Sequence, residues 1–474
     1  MKNIKNYING SFVESTNMID KINPHTEKIM SKFPDSNEKD VEKAVKASSI
    51  AFESWSRLSP VKRGEILLNF LIEFKKERIK MAKIVAAETG KIFSHALGEV
   101  DGSIKLAHFF SSESMRLYGK SFVSGNDNKN AFTIKAPIGT VGLIVPANTP
   151  IANIAWKVFP ALVCGNTAIL KSSEDAPETA EFFLSLAEKS GLPKGVLNLI
   201  HGSGNKSGNY IVNHPEISLI SFTGSSQTGK IINENCASQF KKVSLELGGK
   251  NPFIVCDDAD INNAIDWSIS SCFSNAGQRC AAASRLIVQE NIYEDFITLF
   301  KERMKTLKLG LEDDCYLGPV MNKPLYDTIN NCIFEAKSLG ANVYSVGINN
   351  NKKGFYILPT LIEKLPPDSH LNDFEFFGPV VILSKFDNDK DAIKLANNSQ
   401  YGLTSCVHTS NVNRSFNFLR NMNFGLCNIN SATYGSEPHM PFGGTKHSGN
   451  GSREPGTEAI DLYTELKMIS FTTY

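Results

Sequence analysis

Two residues stand in settings that suit covalent catalysis: Glu246 in V-S-L-E-L-G-G-K-N-P and Cys280 in F-S-N-A-G-Q-R-C-A-A. The apolar run from Val243 predicts a short strand that delivers Glu246 to its end, where Gly248 and Gly249 stop the strand and let other groups approach its backbone. A helix from Ile261 then leads to Gly277, and a tight turn presents Cys280. A carboxylate at a strand terminus can take a proton from water, and a thiol on a turn can attack an electrophilic carbon. Taken singly, neither residue carries that conclusion. Most intracellular cysteines are small buried hydrophobes and most glutamates are solvated charges. A third polar group, Asn148 in V-P-A-N-T-P, reads by itself as a turn former ahead of Thr149 and Pro150.

Together, L-E-L-G-G-K-N-P and N-x-G-Q-x-C, about thirty residues apart, resemble the two signatures of the NAD(P)-dependent aldehyde dehydrogenase superfamily. The run P-F-G-G-T-K-x-S-G-x-G at Pro441 to Gly451 extends the resemblance over essentially the whole chain. The resemblance implies Cys280 as nucleophile, Glu246 as general base for water, and the Asn148 amide as oxyanion donor beside the backbone N–H of Cys280. It also implies a cofactor set. Gly224 and Ser225, in F-T-G-S-S-Q-T-G, cap a helix near the pyrophosphate. Lys171 and Glu174, in K-S-S-E, clamp the adenosine ribose, while Glu375 and Phe377, in F-E-F-F-G-P-V, hold the nicotinamide ribose and pack beside the ring. Val145 and Gly204, at the ends of two strands, complete that set. A carboxylate at Glu174 accepts both ribose hydroxyls and repels a 2′-phosphate, so NAD is expected over NADP, with Lys171 offsetting part of the repulsion. Glu246 favours release of a free acid, because the branch that passes its acyl group to coenzyme A lacks this glutamate.

These side chains need a scaffold. From Pro137 onward, strands alternate with single helices: Val141 to Val145, Ile151 to Val163, Ala168 to Lys171, Pro177 to Gly191, Val196 to Ile200 and Leu219 to Thr223. That alternation predicts a parallel, doubly wound sheet, whose ligands bind beyond the carboxyl ends of its strands. The stretch from Gly248 to His447 repeats the pattern. The expected fold is therefore α/β, with two doubly wound Rossmann-like domains plus a protruding β-arm. Residues 1–116 and 137–247 form the NAD-binding domain, 248–447 the catalytic domain, and 117–136 with 455–474 the arm. The polar run S-G-N-D-N-K-N marks the arm's hairpin, which by resemblance pairs with a neighbouring subunit in a homodimer or homotetramer. The tail from Asp461 is expected, on the same grounds, to join the arm of a partner. The active site should lie in the cleft between the two domains.

Composition limits the function classes. At 474 residues the chain has room for two or three domains, and Lys+Arg 50 against Asp+Glu 49, without a basic stripe, makes nucleic acid an unexpected partner. Nine scattered cysteines without a C-x-x-C pair point to free thiols in a reducing compartment and to no metal site. No leader-like apolar segment follows the first lysines and no run reaches eighteen apolar residues, so a cytoplasmic, non-membrane protein is expected. The substrate is a small aldehyde of unspecified kind. Trp156 and Ser274 occupy the places where succinic semialdehyde dehydrogenases carry arginines, which argues against a dicarboxylic semialdehyde bound in that manner. Trp156, Phe273 and the loop from Thr433 to Met440 would line an apolar or polyol-binding tunnel, and Ala147, in place of a bulky aromatic, would widen the passage. Arg279 adjoins the nucleophile, but consecutive residues on a turn usually point apart. The competing functions are a thiol hydrolase or acyl-transfer enzyme without redox chemistry, and an inactive structural relative. The first lacks a use for Lys171, Glu174 and Glu375; the second, for an intact Cys280, Glu246 and Asn148.

Overall fold

Asn9 and Gly10 both take positive φ, 51° and 78°, the backbone a two-residue hairpin turn demands, and they join the strands Asn6–Ile8 and Ser11–Val13. This hairpin is the antiparallel edge of the first large sheet in the computed structural model, which describes residues 2–351 and 353–474. The sheet has seven strands. Its parallel part runs in the order Lys242–Glu246, Ile217–Thr223, Thr140–Ile144, Thr167–Lys171 and Leu197–Ile200. Helices cover both faces. Pro150–Val163 and Pro177–Lys189 pack on one side with Pro60–Lys76 and Phe93–Glu113, burying Phe70, Phe74, Phe159 and Phe183 completely. Ser59 caps the helix at Pro60 through its hydroxyl, and Asn37 closes a capping box on Glu38–Trp55.

The second sheet, also of seven strands, is parallel except at one edge. Asn342–Ser345 pairs antiparallel there, followed by Thr360–Glu363, Val380–Phe386, Ala283–Gln289, Asn251–Val255, Thr404–His408 and Leu426–Ile429. Strands buried along their whole length, such as Asn251–Val255 and Thr404–His408, lack the in-out alternation of a half-exposed sheet, as parallel sheets covered on both faces require. The two sheets meet where Glu246 ends a strand of the first and Asn251 begins a strand of the second.

The arm is a separate three-stranded antiparallel sheet of Ser121–Phe122, Lys129–Pro137 and Thr464–Thr472. Its register runs from Thr464 opposite Pro137 to Thr472 opposite Lys129. The tail thus pairs with the hairpin of its own chain, which corrects the expectation that it joins a partner's arm. Tyr463, buried in the first core with its hydroxyl bound to Glu454, brings the tail back beside Pro137. Among the described residues no helix is long and apolar enough to cross a membrane, and all nine cysteines are free.

Candidate active site

Cys280 sits on the turn that follows the helix Ile261–Phe273, and that turn is shaped by strain and by polar ties. Asn275 and Ala276 take φ of 55° and 54°, and Gly277 follows at 69°, so the chain reverses within three residues. At Gly277 a Cβ would collide with the Gly378 carbonyl, which ties this turn to the F-G-P segment. Asn251 fixes the other side: its Nδ2 donates to the carbonyls of Cys280 at 2.7 Å and Ala282 at 2.8 Å. Thr433 Oγ1 donates to the Ala281 carbonyl at 2.6 Å. Three segments remote in sequence therefore hold the backbone around Cys280.

The glycines after Glu246 have a packing reason. A Cβ at Gly248 would collide with the Glu375 carboxylate, and one at Gly249 would crowd the Cys280 carbonyl. Glu375 accepts from the Gly249 N–H at 3.0 Å, and burial raises its carboxyl to about 7. Glu246 is buried beside Gly443, and neither of its oxygens has a hydrogen-bond partner among the described residues. Burial, reinforced by Glu454, holds its carboxyl well above the carboxylate range, against the pull of Lys157 and Arg453. Lys157 is itself bound to Glu454 at 2.7 Å and to Ser221 at 2.6 Å, a buried pair that joins the first sheet to the C-terminal segment. The Cys280 thiol is pushed up to about 12 by burial and by the carboxylates of Glu375 and Glu246, with the Ala281 N–H opposing. Both carboxylates therefore lie within electrostatic reach of the thiol.

A cavity of about 460 Å³ opens onto Cys280 and Asn148. Lys91 donates to the Asn148 carbonyl at 2.7 Å and Asn275 Nδ2 to the same oxygen at 3.2 Å, which fixes that backbone, while the Asn148 side chain makes no hydrogen bond among the described residues. The Cys280 N–H also lacks a protein acceptor there. The Asn148 amide and the Cys280 N–H are thus both without a protein partner among the described residues, and both residues line one cavity, which suits an oxyanion site.

The aldehyde dehydrogenase family profile matches residues 12–469. The chain belongs to the aldehyde dehydrogenase family. It is 37% identical over 98% of its length to aldehyde dehydrogenase [NAD(P)+] 1 of Saccharomyces cerevisiae, covering 94% of that protein. To the alpha-ketoglutaric semialdehyde dehydrogenase of Bacillus subtilis it is 35% identical, over 98% of this chain and 97% of the relative. Among solved structures, a betaine aldehyde dehydrogenase of Staphylococcus aureus in complex with NAD+ superimposes with a TM-score of 0.96 at 33% identity, over 99% of this chain and 95% of the other.

Within that family framework, the remaining expected residues fall at the carboxyl edge of the first sheet. Lys171 ends its strand, and Glu174 Oε1 lies 3.9 Å from it while accepting the Gly204 N–H at 2.8 Å. Ser225 caps the helix Ser226–Ala237 by accepting from the Thr228 N–H, and the Gly224 N–H donates to the carbonyl of Glu246. Val145 is buried in the first core, its N–H bound to the Lys171 carbonyl at 3.3 Å. Phe377, at φ 51°, packs against a small apolar group of Ala147, Ala176 and Met321. Ala147 is only 3% exposed, so its small side chain leaves no open passage.

Two of the substrate-side expectations change. Phe273 is fully buried in the second core against Phe300 and does not line the cavity. Trp156 does line it, edge-on to Phe442, as does the loop at Tyr434 to Pro438. Arg279 lines the same cavity as Cys280, where the expectation was that these consecutive turn residues point apart. Sequence reasoning also missed Asn251, Lys91 with Glu99, and Lys157 with Glu454. Only Asn251 left a signal, an amide opening an otherwise apolar buried strand.

Proposed function

We propose that this protein oxidises a small aldehyde to its carboxylic acid with NAD, using Cys280, Asn148 and Glu246. The observation that carries this reading is the meeting of Cys280 and Asn148 on one cavity wall, with Glu246 and Glu375 close enough to the thiol to perturb it. NAD supplies the hydride acceptor. Cys280 Sγ attacks the aldehyde carbon, and the Asn148 amide with the Cys280 N–H receives the oxygen as it becomes anionic. Loss of hydride leaves a thioester on Cys280. Glu246 takes a proton from water, which attacks the thioester and frees the acid.

The carboxyl edge of the first sheet fits the cofactor. Glu174 keeps one oxygen without a partner among the described residues, and the N–H groups of Ser226 and Gln227, which open the helix Ser226–Ala237, likewise have none there. Lys171 lies among the carboxylates of Glu174, Asp175 and Asp35, a setting that disfavours a 2′-phosphate and supports NAD over NADP. Lys171, Glu174, Gly204, Gly224, Ser225 and Val145 would hold the adenosine side, and Glu375 and Phe377 the nicotinamide side. Residues 1–116 and 137–247 serve as the cofactor domain and 248–447 as the catalytic domain. The arm supports assembly into a homodimer or homotetramer: Phe122, Leu466, Met468 and Phe471 are exposed apolar residues on it. Free cysteines throughout support a cytoplasmic setting.

The test is a panel of aldehydes with NAD and with NADP, following absorbance of the reduced cofactor. Turnover should appear with NAD and vanish in Cys280→Ser. A Cys280→Ser enzyme that turns over like the parent would remove this residue as nucleophile.

A further inference from the structure

Arg279 carries a buried Nε that no other group answers among the described residues. Elsewhere such groups are fully used. Arg63 donates to the carbonyls of Val163 and Leu58, and Arg285 to those of Lys250, Leu395 and Ala396. Arg414 is bound by Asp257, Asp258 and Asp389. For Arg279, by contrast, the described residues offer no carboxylate within salt-bridge distance, and its Nε is buried without any acceptor. What holds it is an apolar surface: its guanidinium lies 4.6 Å from the centre of the Tyr434 ring. That ring is fixed in turn, since the Tyr434 hydroxyl meets Ser270 Oγ at 2.6 Å and Ser274 Oγ at 3.3 Å. Stacking occupies the face of the guanidinium and leaves its N–H edge for something else.

The neighbouring charges do not supply it. Glu99 is committed: it binds Lys91 at 2.5 Å and accepts the N–H groups of Ile151 and Ala152 at 2.9 and 3.2 Å. His95, whose Nδ1 is also unpartnered, is held neutral; burial, Arg279 and Lys91 lower it to about 4. Glu437 and Lys105, of opposite charge, line the cavity too, and both are exposed to solvent. The inner wall beside Cys280 therefore carries one uncompensated positive charge with directed donors.

We infer that the aldehyde bears a carboxylate at its far end, and that Arg279 receives it through its free N–H edge while the carbonyl carbon reaches Cys280. A planar guanidinium matches a carboxylate in two parallel hydrogen bonds, and in a cavity of about 460 Å³ the short carbon chain between the two ends lies against Trp156 and Phe442. This substrate class rests on the dehydrogenase reading above. It also departs from the expectation at Trp156 and Ser274: the anion is met from beside the nucleophile, not from those two positions.

The experiment compares chain-matched aldehydes at fixed ionic strength with saturating NAD: glutaric semialdehyde, pentanal and 4-(trimethylammonio)butanal. The anionic member should exceed pentanal in kcat/KM by about 10–100-fold, chiefly through KM, and the cationic one should be worst. Arg279→Gln should bring the ratio of glutaric semialdehyde to pentanal to within a few-fold of one, with Arg279→Lys restoring part of it. A wild-type ratio at or below one, or a ratio unmoved by Arg279→Gln, overturns the inference. A second reading needs no turnover: glutarate should protect Cys280 from iodoacetamide in the wild-type protein, measured by mass spectrometry, and pentan-1-ol should not. Turnover of no aldehyde at all would defeat the dehydrogenase reading, whereas turnover of pentanal with no protection by glutarate would defeat only this one.

Discussion

Cys280 lies in an environment that opposes its own ionisation. Burial and two neighbouring carboxylates push the thiol up to about 12, and Glu246, with no hydrogen bond to either oxygen among the described residues, is held well above the carboxylate range. Both residues must lose a proton to work: the thiol before it attacks, and the glutamate before it can act on water. The sign for Glu246 is fixed by the raised direction. Its ionised, working form is scarce at low pH and accumulates as pH rises through its elevated pKa, so hydrolysis of the acyl enzyme should accelerate with pH and keep rising above the range of ordinary carboxylates. Glu246→Gln should retain the first burst of reduced cofactor but slow later turnover by about 100–10,000-fold and flatten this dependence. A lost burst would mean that the side chain acts earlier. Glu174 makes a separate prediction. Glu174→Ala removes the carboxylate that answers Lys171, so the ratio of kcat/KM for NADP to that for NAD should rise roughly tenfold or more. An unchanged ratio would take Glu174 out of the ribose site.

At the level of elements, the catalytic turn is held from outside itself. Asn251 opens a strand of the second sheet yet spends its amide on the carbonyls of Cys280 and Ala282, and its Oδ1 accepts the Thr404 N–H at 3.0 Å. Asn251→Ala takes away the amide that pairs the Cys280 carbonyl and one of the donors to the Ala282 carbonyl, which costs on the order of 1–3 kcal/mol in stability. It should also lower kcat more than it raises KM for NAD, because the displaced atoms belong to the nucleophile. Denaturant unfolding and steady-state kinetics on one preparation check both parts, and intact kcat would show that the turn holds its shape without this support. The Lys157 and Glu454 pair does similar service under Glu246, joining the helix Pro150–Val163 to the segment that precedes the tail.

For the whole molecule, the site exists because two sheets of similar design face one another across the stretch 246–251. The first sheet ends at Glu246 and the second begins at Asn251, so four intervening residues, two of them glycines, carry the chain between them. The arm stands apart, its exposed apolar face unused within the chain. Removing residues 466–474 should therefore lower the assembled mass measured by sedimentation velocity. A mass per particle unchanged from the full chain would exclude the tail from the interface. Much of this was already fixed in the linear chain. Parallel strands buried on both faces are continuous apolar runs bounded by glycine and proline, and helices such as Tyr293–Lys305 repeat their apolar residues every three or four positions, so local period alone located them. Cys280, Glu246 and Asn148 stood out only through the joint motifs around them, since none of the three is distinctive taken singly. The arm's pairing with its own tail, the direction of Arg279, the burial of Phe273 and the support from Asn251, Lys91 and Glu454 were decided only in three dimensions. Contacts between positions tens or hundreds of residues apart leave no local period, and a side chain's direction on a strained turn follows from backbone angles that residue types do not specify.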